Sequence, residues 1–476
     1  MINEQVPRFP MIVGGNEVSG GDNYGRVFRP SDQQIIAQYR KAESTDVNMA
    51  IEVSQKGKNE MRDLAPWKVA KILRRTAEMI ETVREELRNH LIDEGGKIWR
   101  DAESEITRTV AVFELASEEC TRVEGQLHNP NSYQYPPGNE TRFAYTKYEP
   151  VGVVVAITPW NYPLLGPAHK IAPALAARNA LLLKPASLTP LSAIRLGQLL
   201  VTCGLPKDAL SVLPGSGATV GKALVESEKT DFVTLTGDTS TGLSVAALAA
   251  GKGKRSIMEL GGMDPLILLP DGNMEKAVRD ATRGAFTHAG QVCIASKRMI
   301  VDEKIADKFA DALSKSAESL RIGDPHSKDT DLGPMIDSGA LDRVDFMIKE
   351  AVGSGATLRT GGRKAEGGSL SKGHFFLATV IDNVSEDMSL NREEPFGPIA
   401  PIIRVETVDQ AIEAANNNPF GLSSSIYTSD IGAAIKIADR IQAGGVRIND
   451  PPSTRWDNLP HGGVKKSGFG REGVRY

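Results

Sequence analysis

At 476 residues the chain is too long for one hydrophobic core, and 40% hydrophobic with 24% charged residues is the balance of a globular protein with two large domains. A formal net charge of −4 leaves no electrostatic footprint for nucleic acid or an anionic membrane. Apolar runs such as VGVVVAIT (151–158) fall short of the roughly 20 residues of a membrane helix. MINEQVPRFP lacks the basic and apolar regions of a secretory leader, so a cytoplasmic protein is expected.

The N-terminal part reads as an irregular β arm followed by helices. Val69, Ile72, Leu73, Ile80, Val83 and Leu87 recur at helical spacing between Pro66 and the stop at Gly95-Gly96. From residue 145 the pattern changes to short apolar strands alternating with helical segments: VGVVVAIT, ALLLK (180–184), LSVLPG (210–215), DFVTLTG (231–237) and RSIMELGG (255–262). A second series follows at PLILL (265–269), RMIVDE (298–303), APIIRVE (400–406), SSSIYT (423–428) and GVRIND (445–450). Strands apolar on both faces with helices between them predict parallel sheets. The expectation is an α/β protein with two doubly wound parallel-sheet domains joined near residue 260, and no internal repeat.

Cys120, Cys203 and Cys293 are odd in number and widely spaced, which gives no disulfide framework. Without CxxC pairs no metal site is expected. Cys293, in FTHAGQVCIASKR, is on this evidence either core packing or a nucleophile. Open parallel sheets bind ligands beyond the carboxyl ends of their strands. The informative loops are therefore TPWNYP (158–163), KPAS (184–187), TGDTSTG (236–242) and ELGG (259–262). No GxGxxG is present. Gly217 and Gly221, and Gly237 and Gly242, still offer glycines where a backbone can approach phosphate at a helix N-terminus.

With GQVC, EEPFGPIAP (393–401), NNPFGLSSS (417–425) and HGGVKKSGFGREG (461–473), these loops form an ordered series almost from end to end of the chain. The series resembles the NAD(P)-dependent aldehyde dehydrogenase superfamily. The resemblance implies a Rossmann-like cofactor domain over 1–127 and 150–260 and a catalytic domain over 261–447. It also implies an oligomerisation arm over 128–149, with the C-terminal segment 448–476. Relatives usually continue beyond GREGVRY, so the stop at Tyr476 implies a trimmed end or altered assembly. A homodimer or homotetramer is expected.

The resemblance also assigns roles. Cys293 becomes the nucleophile that adds to the aldehyde, because a trigonal carbonyl carbon expels hydride only after a thiolate has made it tetrahedral. Asn161 and the Cys293 backbone N–H become the oxyanion donors, and Glu259 the base that activates water. Relatives that transfer the acyl group to coenzyme A generally lack that glutamate, so hydrolysis to the free acid is implied. Lys184 and Glu394 are assigned to the cofactor riboses, Phe396 to the flank of the nicotinamide ring and Trp160 to the cofactor's length. Gly217, Gly221, Gly237, Asp238, Thr239, Gly242 and Leu260 complete the cofactor site. Serine at 187, where NAD-preferring relatives often carry glutamate, makes the cofactor NADP or NAD with NADP slightly favoured. Asp238 stands where the family usually has serine, and it would repel phosphate unless it turns inward to cap the helix.

The substrate tunnel is assigned Arg108, Tyr162, His169, Arg455 and His461, the last replacing a phenylalanine of PFGG. Polar residues at tunnel positions imply a small polar aldehyde, hydroxylated or anionic, similar to the substrates of lactaldehyde, glyceraldehyde and phosphonoacetaldehyde dehydrogenases. A semialdehyde, a broad specificity and an inactive structural relative are the alternatives.

Overall fold

The computed structural model describes residues 6–134, 137–138 and 141–476. The apolar strands expected from residue 151 onward all form, and they divide between two sheets. In the first, five parallel strands run in the order Arg255–Glu259, Phe232–Thr236, Val153–Ile157, Ala180–Lys184, Leu210–Val212. Their side chains alternate between two separate cores. Val153, Val155, Ala180 and Leu182 pack with Val47 and Ile51 of the helix Ser44–Asp63. Val154, Ala156, Leu181 and Leu183 pack with Ile171 and Leu175 of the helix Leu165–Ala176. Burial on both faces is why these strands read as unbroken apolar runs.

The order of strands fixes where a ligand can lie. From Val153–Ile157 the chain moves outward through Ala180–Lys184 and Leu210–Val212, then returns to the other side of Val153–Ile157 with Phe232–Thr236. The sheet reverses direction between these two neighbours, so the loops at their carboxyl ends, Thr158–Pro163 and Thr236–Gly242, splay apart and open a crevice. The second sheet runs Thr357–Thr360, Thr379–Asp382, Ile399–Val405, Arg298–Asp302, Pro265–Leu268, Ser423–Tyr427, Gly445–Ile448 and is parallel except at Thr357–Thr360.

Three features differ from the sequence reading. The helical periodicity of 66–95 is two helices, Pro66–Thr82 and Arg84–Gly95, broken at Val83 with φ −110° and ψ 20°. Ile80 and Leu87 stay buried on either side of the break, so the apolar spacing runs on without registering it. The first sheet is edged by antiparallel strands, with Met11–Val13 beside Leu210–Val212. The C-terminal pair Gly468–Phe469 lies beside Met258–Glu259 and so returns to the first sheet. In the arm, Leu127–His128 pairs with Ala144–Tyr145, while residues 135–136 and 139–140 of the expected hairpin lie outside the described residues. Among the described residues no helix is long and apolar enough to cross a membrane.

Candidate active site

Two adjoining cavities flank the loop that carries Cys293. One, of about 950 Å³, occupies the crevice beyond the first sheet and is lined by Trp160, Lys184, Ser187, Asp238 and Glu394 among others. The second, of about 1020 Å³, opens between the helices Trp99–Glu119 and Met274–Phe286. Arg108, Tyr162, Val292, Ser453 and Arg455 line both.

Cys293 sits on the loop between the helix Met274–Phe286 and the strand Arg298–Asp302. The loop turns sharply because His288, Ala289 and Gly290 take positive φ in succession. At Gly290 a Cβ would lie 2.0 Å from the Gly397 carbonyl oxygen, so only glycine fits. Asn161 ties the first sheet to this loop. Its Nδ2 donates to the Gln291 carbonyl at 2.8 Å, and the Gln291 side chain in turn donates to His288 O and accepts from Ile336 N. An amide nitrogen carries two N–H groups, so this bond leaves Asn161 a second one for a ligand oxygen.

Glu259 ends its strand almost fully buried. A carboxylate oxygen of Glu259, the Cys293 sulfur and a ring nitrogen of His461 all lie within 4.8 Å of one another. Burial pushes the Cys293 thiol well above its usual range, and the nearby Glu259 charge pushes it further, against a smaller opposing pull from Lys297. A thiol so placed ionises only if something takes its proton.

In the crevice beyond the first sheet, Lys184 is buried. Its Nζ donates to the Pro185 carbonyl, and no carboxylate among the described residues pairs with it. Burial brings its pKa down to about 8. An unpaired buried ammonium facing a cavity fits ligand oxygens such as ribose hydroxyls. Ser187 donates to the Gly215 carbonyl at 2.9 Å. Asp238 turns inward, capping the helix Thr239–Gly251 by accepting from Thr241 N and Ser240 Oγ. Burial opposes its ionisation, but those hydrogen bonds outweigh it and hold the carboxyl below its usual range. Thr239 Oγ1 accepts from Gly261 N, which fixes the turn after Glu259. Trp160 meets the edge of Phe396 with ring centroids 5.6 Å apart. Gly237 and Leu260 also line this cavity.

Four assigned residues do not line it. Gly217 is exposed with open space around it, and Gly221 stands behind the Lys184 stem. A Cβ on Gly242 would lie 2.1 Å from Leu260, so that glycine serves helix packing. His461 is likewise corrected from a tunnel position. It is buried with its Nε2 3.8 Å from Glu259 Oε1.

Arg108, His169 and Arg455 belong to a charge cluster built on two acids. Asp457 accepts from Arg108 at 2.6 and 3.1 Å and faces His169 Nε2 at 3.2 Å and Arg455 Nε at 3.6 Å. Glu472 pairs with Lys170 at 2.7 Å and with Arg455 at 3.4 Å. Burial, reinforced by Arg455, drops His169 to about 4 despite Asp457, so it is neutral at pH 7. Tyr162 lies beneath the Lys97 ammonium, 3.8 Å from its ring centroid.

Sequence reading missed Lys297, Lys170, Glu472 and His288. Lys297 is buried beside Cys293, hydrogen-bonded to its carbonyl and paired with Glu394 at 2.8 Å. Its one sequence signal was a lysine four residues after the cysteine.

Comparison with known proteins identifies what the chain is similar to. The model of the aldehyde dehydrogenase family matches residues 18–476. A 3-sulfolactaldehyde dehydrogenase of Priestia aryabhattai is 35% identical over 474 residues, 99% of this chain and 96% of its own. A lactaldehyde dehydrogenase of Methanococcus maripaludis is 34% identical, with 94% of each chain covered. The crystal structure of a betaine aldehyde dehydrogenase from Staphylococcus aureus in complex with NAD+ superposes with a TM-score of 0.93 at 32% identity, covering 98% of this chain and 91% of that one.

Proposed function

The chain belongs to the aldehyde dehydrogenase family, and we propose that it oxidises a small hydroxylated or anionic aldehyde to the free carboxylic acid with NADP or NAD. The observation that carries this reading is the lining of the first cavity. There Cys293, Glu259 and Asn161 converge beside a cluster in which three cations, Arg108, Arg455 and Lys170, face two carboxylates, Asp457 and Glu472. Within the cluster itself three positive charges face two negative ones, and the excess falls at Arg455, because each of its two acids has a closer cation. Arg455 Nε, buried and without a hydrogen-bond partner among the described residues, is a donor for such a tail. A sulfolactaldehyde carries an anionic sulfonate and a hydroxyl, which fit the same chemistry.

In this mechanism the Cys293 thiolate adds to the aldehyde carbon, and the oxygen that gains charge is met by an Asn161 N–H and the Cys293 backbone N–H. A bound nicotinamide cofactor supplies the hydride acceptor, and Lys184, Ser187, Glu394, Phe396 and Trp160 are the residues that would hold it. Glu259 then removes a proton from the water that cleaves the Cys293 thioester. Lys297 holds the Cys293 carbonyl and the Glu394 carboxylate, which fixes the nucleophile's loop against the cofactor side. Serine at 187 presents no charge against a 2′-phosphate, which supports NADP over NAD.

On this reading the first sheet carries the cofactor and the second the nucleophile. Leu127, Phe143, Tyr145 and Tyr148 leave the arm's apolar side chains exposed, which supports assembly as a homodimer or homotetramer. A semialdehyde is the second reading, because a carboxylate tail meets the same excess positive charge. The deciding experiment is a steady-state panel of hydroxylated, carboxylated, sulfonated and unsubstituted aldehydes against NADP and NAD, with free acid measured. Preference for unsubstituted aliphatic aldehydes would overturn the substrate class, and absence of free acid would overturn the hydrolytic step.

A further inference from the structure

We propose that His461 is the proton-accepting partner of Glu259, drawing the Cys293 proton off through that carboxylate before hydride leaves. The inference rests on Cys293 and Glu259 acting as read above. What points to it is a pair of orphaned atoms: Glu259 Oε1 and His461 Nε2 face each other at 3.8 Å, both buried, and neither has a hydrogen-bond partner among the described residues. Burying a polar atom without a partner is costly, so such a pair calls for a use. The imidazole is held in place by its own backbone, since His461 and Glu472 exchange N–H···O bonds in both directions.

Cys293, buried near a carboxylate, is a poor acid. If its proton stopped on Glu259, that residue would be spent before water had to be activated. Passing the proton on solves both problems. The Sγ–H bond breaks as a Glu259 O–H forms. That O–H then breaks as an Nε2–H forms on His461. Nothing is oxidised or reduced, and Glu259 is again a carboxylate when the thioester appears. His461 is neutral at rest, because burial and then the Arg455 charge disfavour its protonation. Other charged or titratable groups around the pair are Cys293, Glu394, Lys297 and Glu472. The carboxylates of Glu259 and Glu472 both favour the imidazolium while it holds the proton. An apolar ring at 461 would provide no such acceptor.

The test is alkylation of Cys293 by iodoacetamide in the full-length protein without aldehyde, followed from pH 5 to 10 by mass spectrometry. His461→Gln keeps polarity without titrating, and His461→Phe restores the ring type of relatives. In both, alkylation at pH 7 should fall roughly tenfold, the modest end of what a positioned proton acceptor contributes, and its rise with pH should shift to higher pH. Glu259→Gln should do the same, because the path runs through it. Turnover should fall with the aldehyde KM unchanged. An unaltered alkylation profile in both His461 variants overturns the proposal. So does a raised KM alone, which marks a substrate contact instead. Should Cys293 in the unsubstituted protein resist alkylation at every pH, the nucleophile reading itself fails, a result distinct from either.

Discussion

Arg455 is where the substrate reading is most exposed to refutation. Its guanidinium lies 3.4 Å from Glu472 and 3.6 Å from Asp457, longer than the roughly 2.7–2.9 Å of a charge-assisted hydrogen bond. Each acid has a closer cation, Lys170 at 2.7 Å and Arg108 at 2.6 Å. Replacing Arg455 with Gln therefore leaves both acids paired, and the fold should survive. A charge-assisted contact to an anionic tail contributes about 1.5–3 kcal/mol. Because Arg455 already shares its charge with two carboxylates, the lower part of that range applies, and kcat/KM for a carboxylated or sulfonated aldehyde should fall about ten- to thirtyfold. A neutral aldehyde of the same length should lose less than about threefold, since it offers nothing for a guanidinium to neutralise. The assay is kcat/KM on the matched pair of aldehydes, with thermal melting to register any loss of stability. Equal losses on both substrates would mean that Arg455 holds the cavity wall and not the substrate, and the anionic-tail argument would fall.

Cys293→Ala should leave less than about 1% of turnover while cofactor binding, followed by fluorescence quenching, persists. Glu259→Gln should give a burst of reduced cofactor followed by a slow steady rate, and a wild-type steady rate would remove Glu259 from the hydrolytic step. Ser187→Glu should shift the specificity ratio toward NAD, because like charges brought together in a partly desolvated site cost several kcal/mol; an unchanged ratio would place Ser187 away from the adenosine ribose. Lys184 has a folded-state pKa near 8 against 10.5 unfolded, so between those values the unfolded chain binds more protons and stability rises with pH. Urea unfolding should show that rise in the wild type and not in Lys184→Met, and the variant should be more stable without cofactor at pH 7.

The sequence made the two sheets legible because their strands are buried on both faces and so announce themselves as apolar runs. Edge strands such as Thr357–Thr360, with exposed Thr357 and Leu358, carry no such signal. Asp238 illustrates a conditional reading that the structure decides: one side-chain rotation turns a phosphate repellent into a helix cap. Gly242 shows the opposite limit, since a glycine required by a neighbouring leucine and one required by a phosphate look identical in sequence. The charge cluster was half visible. Arg108, His169 and Arg455 stood out as polar residues at tunnel positions, but their counter-ions are set by contacts between segments distant in the chain. Lys170 and Glu472 are separated by 302 positions and Arg108 and Asp457 by 349. No local spacing encodes such pairs.

The same distance explains why one short C-terminal stretch matters to both halves of the chemistry. Ser467 Oγ donates to Gly261 O and accepts from Gly421 N, while Ser467 O accepts from Leu260 N, so this residue joins the turn after Glu259 to the segment that leads into the strand Ser423–Tyr427. Gly468, at φ +109°, comes so near the Met258 carbonyl that a Cβ would sit 2.0 Å from its oxygen, and the strand carrying Glu259 gains its antiparallel neighbour there. From that clamp the chain reaches Glu472, the partner of Lys170 and Arg455, and it arrives there from Arg455, Asp457 and His461. On the proposed reading, the residues that would select the aldehyde and those that seat Glu259 are thus carried by one backbone segment. A change of specificity made in this segment by altering backbone geometry, such as Gly468→Ala, should therefore also slow thioester hydrolysis. One made by altering a side chain at its tunnel end, Arg455, should not.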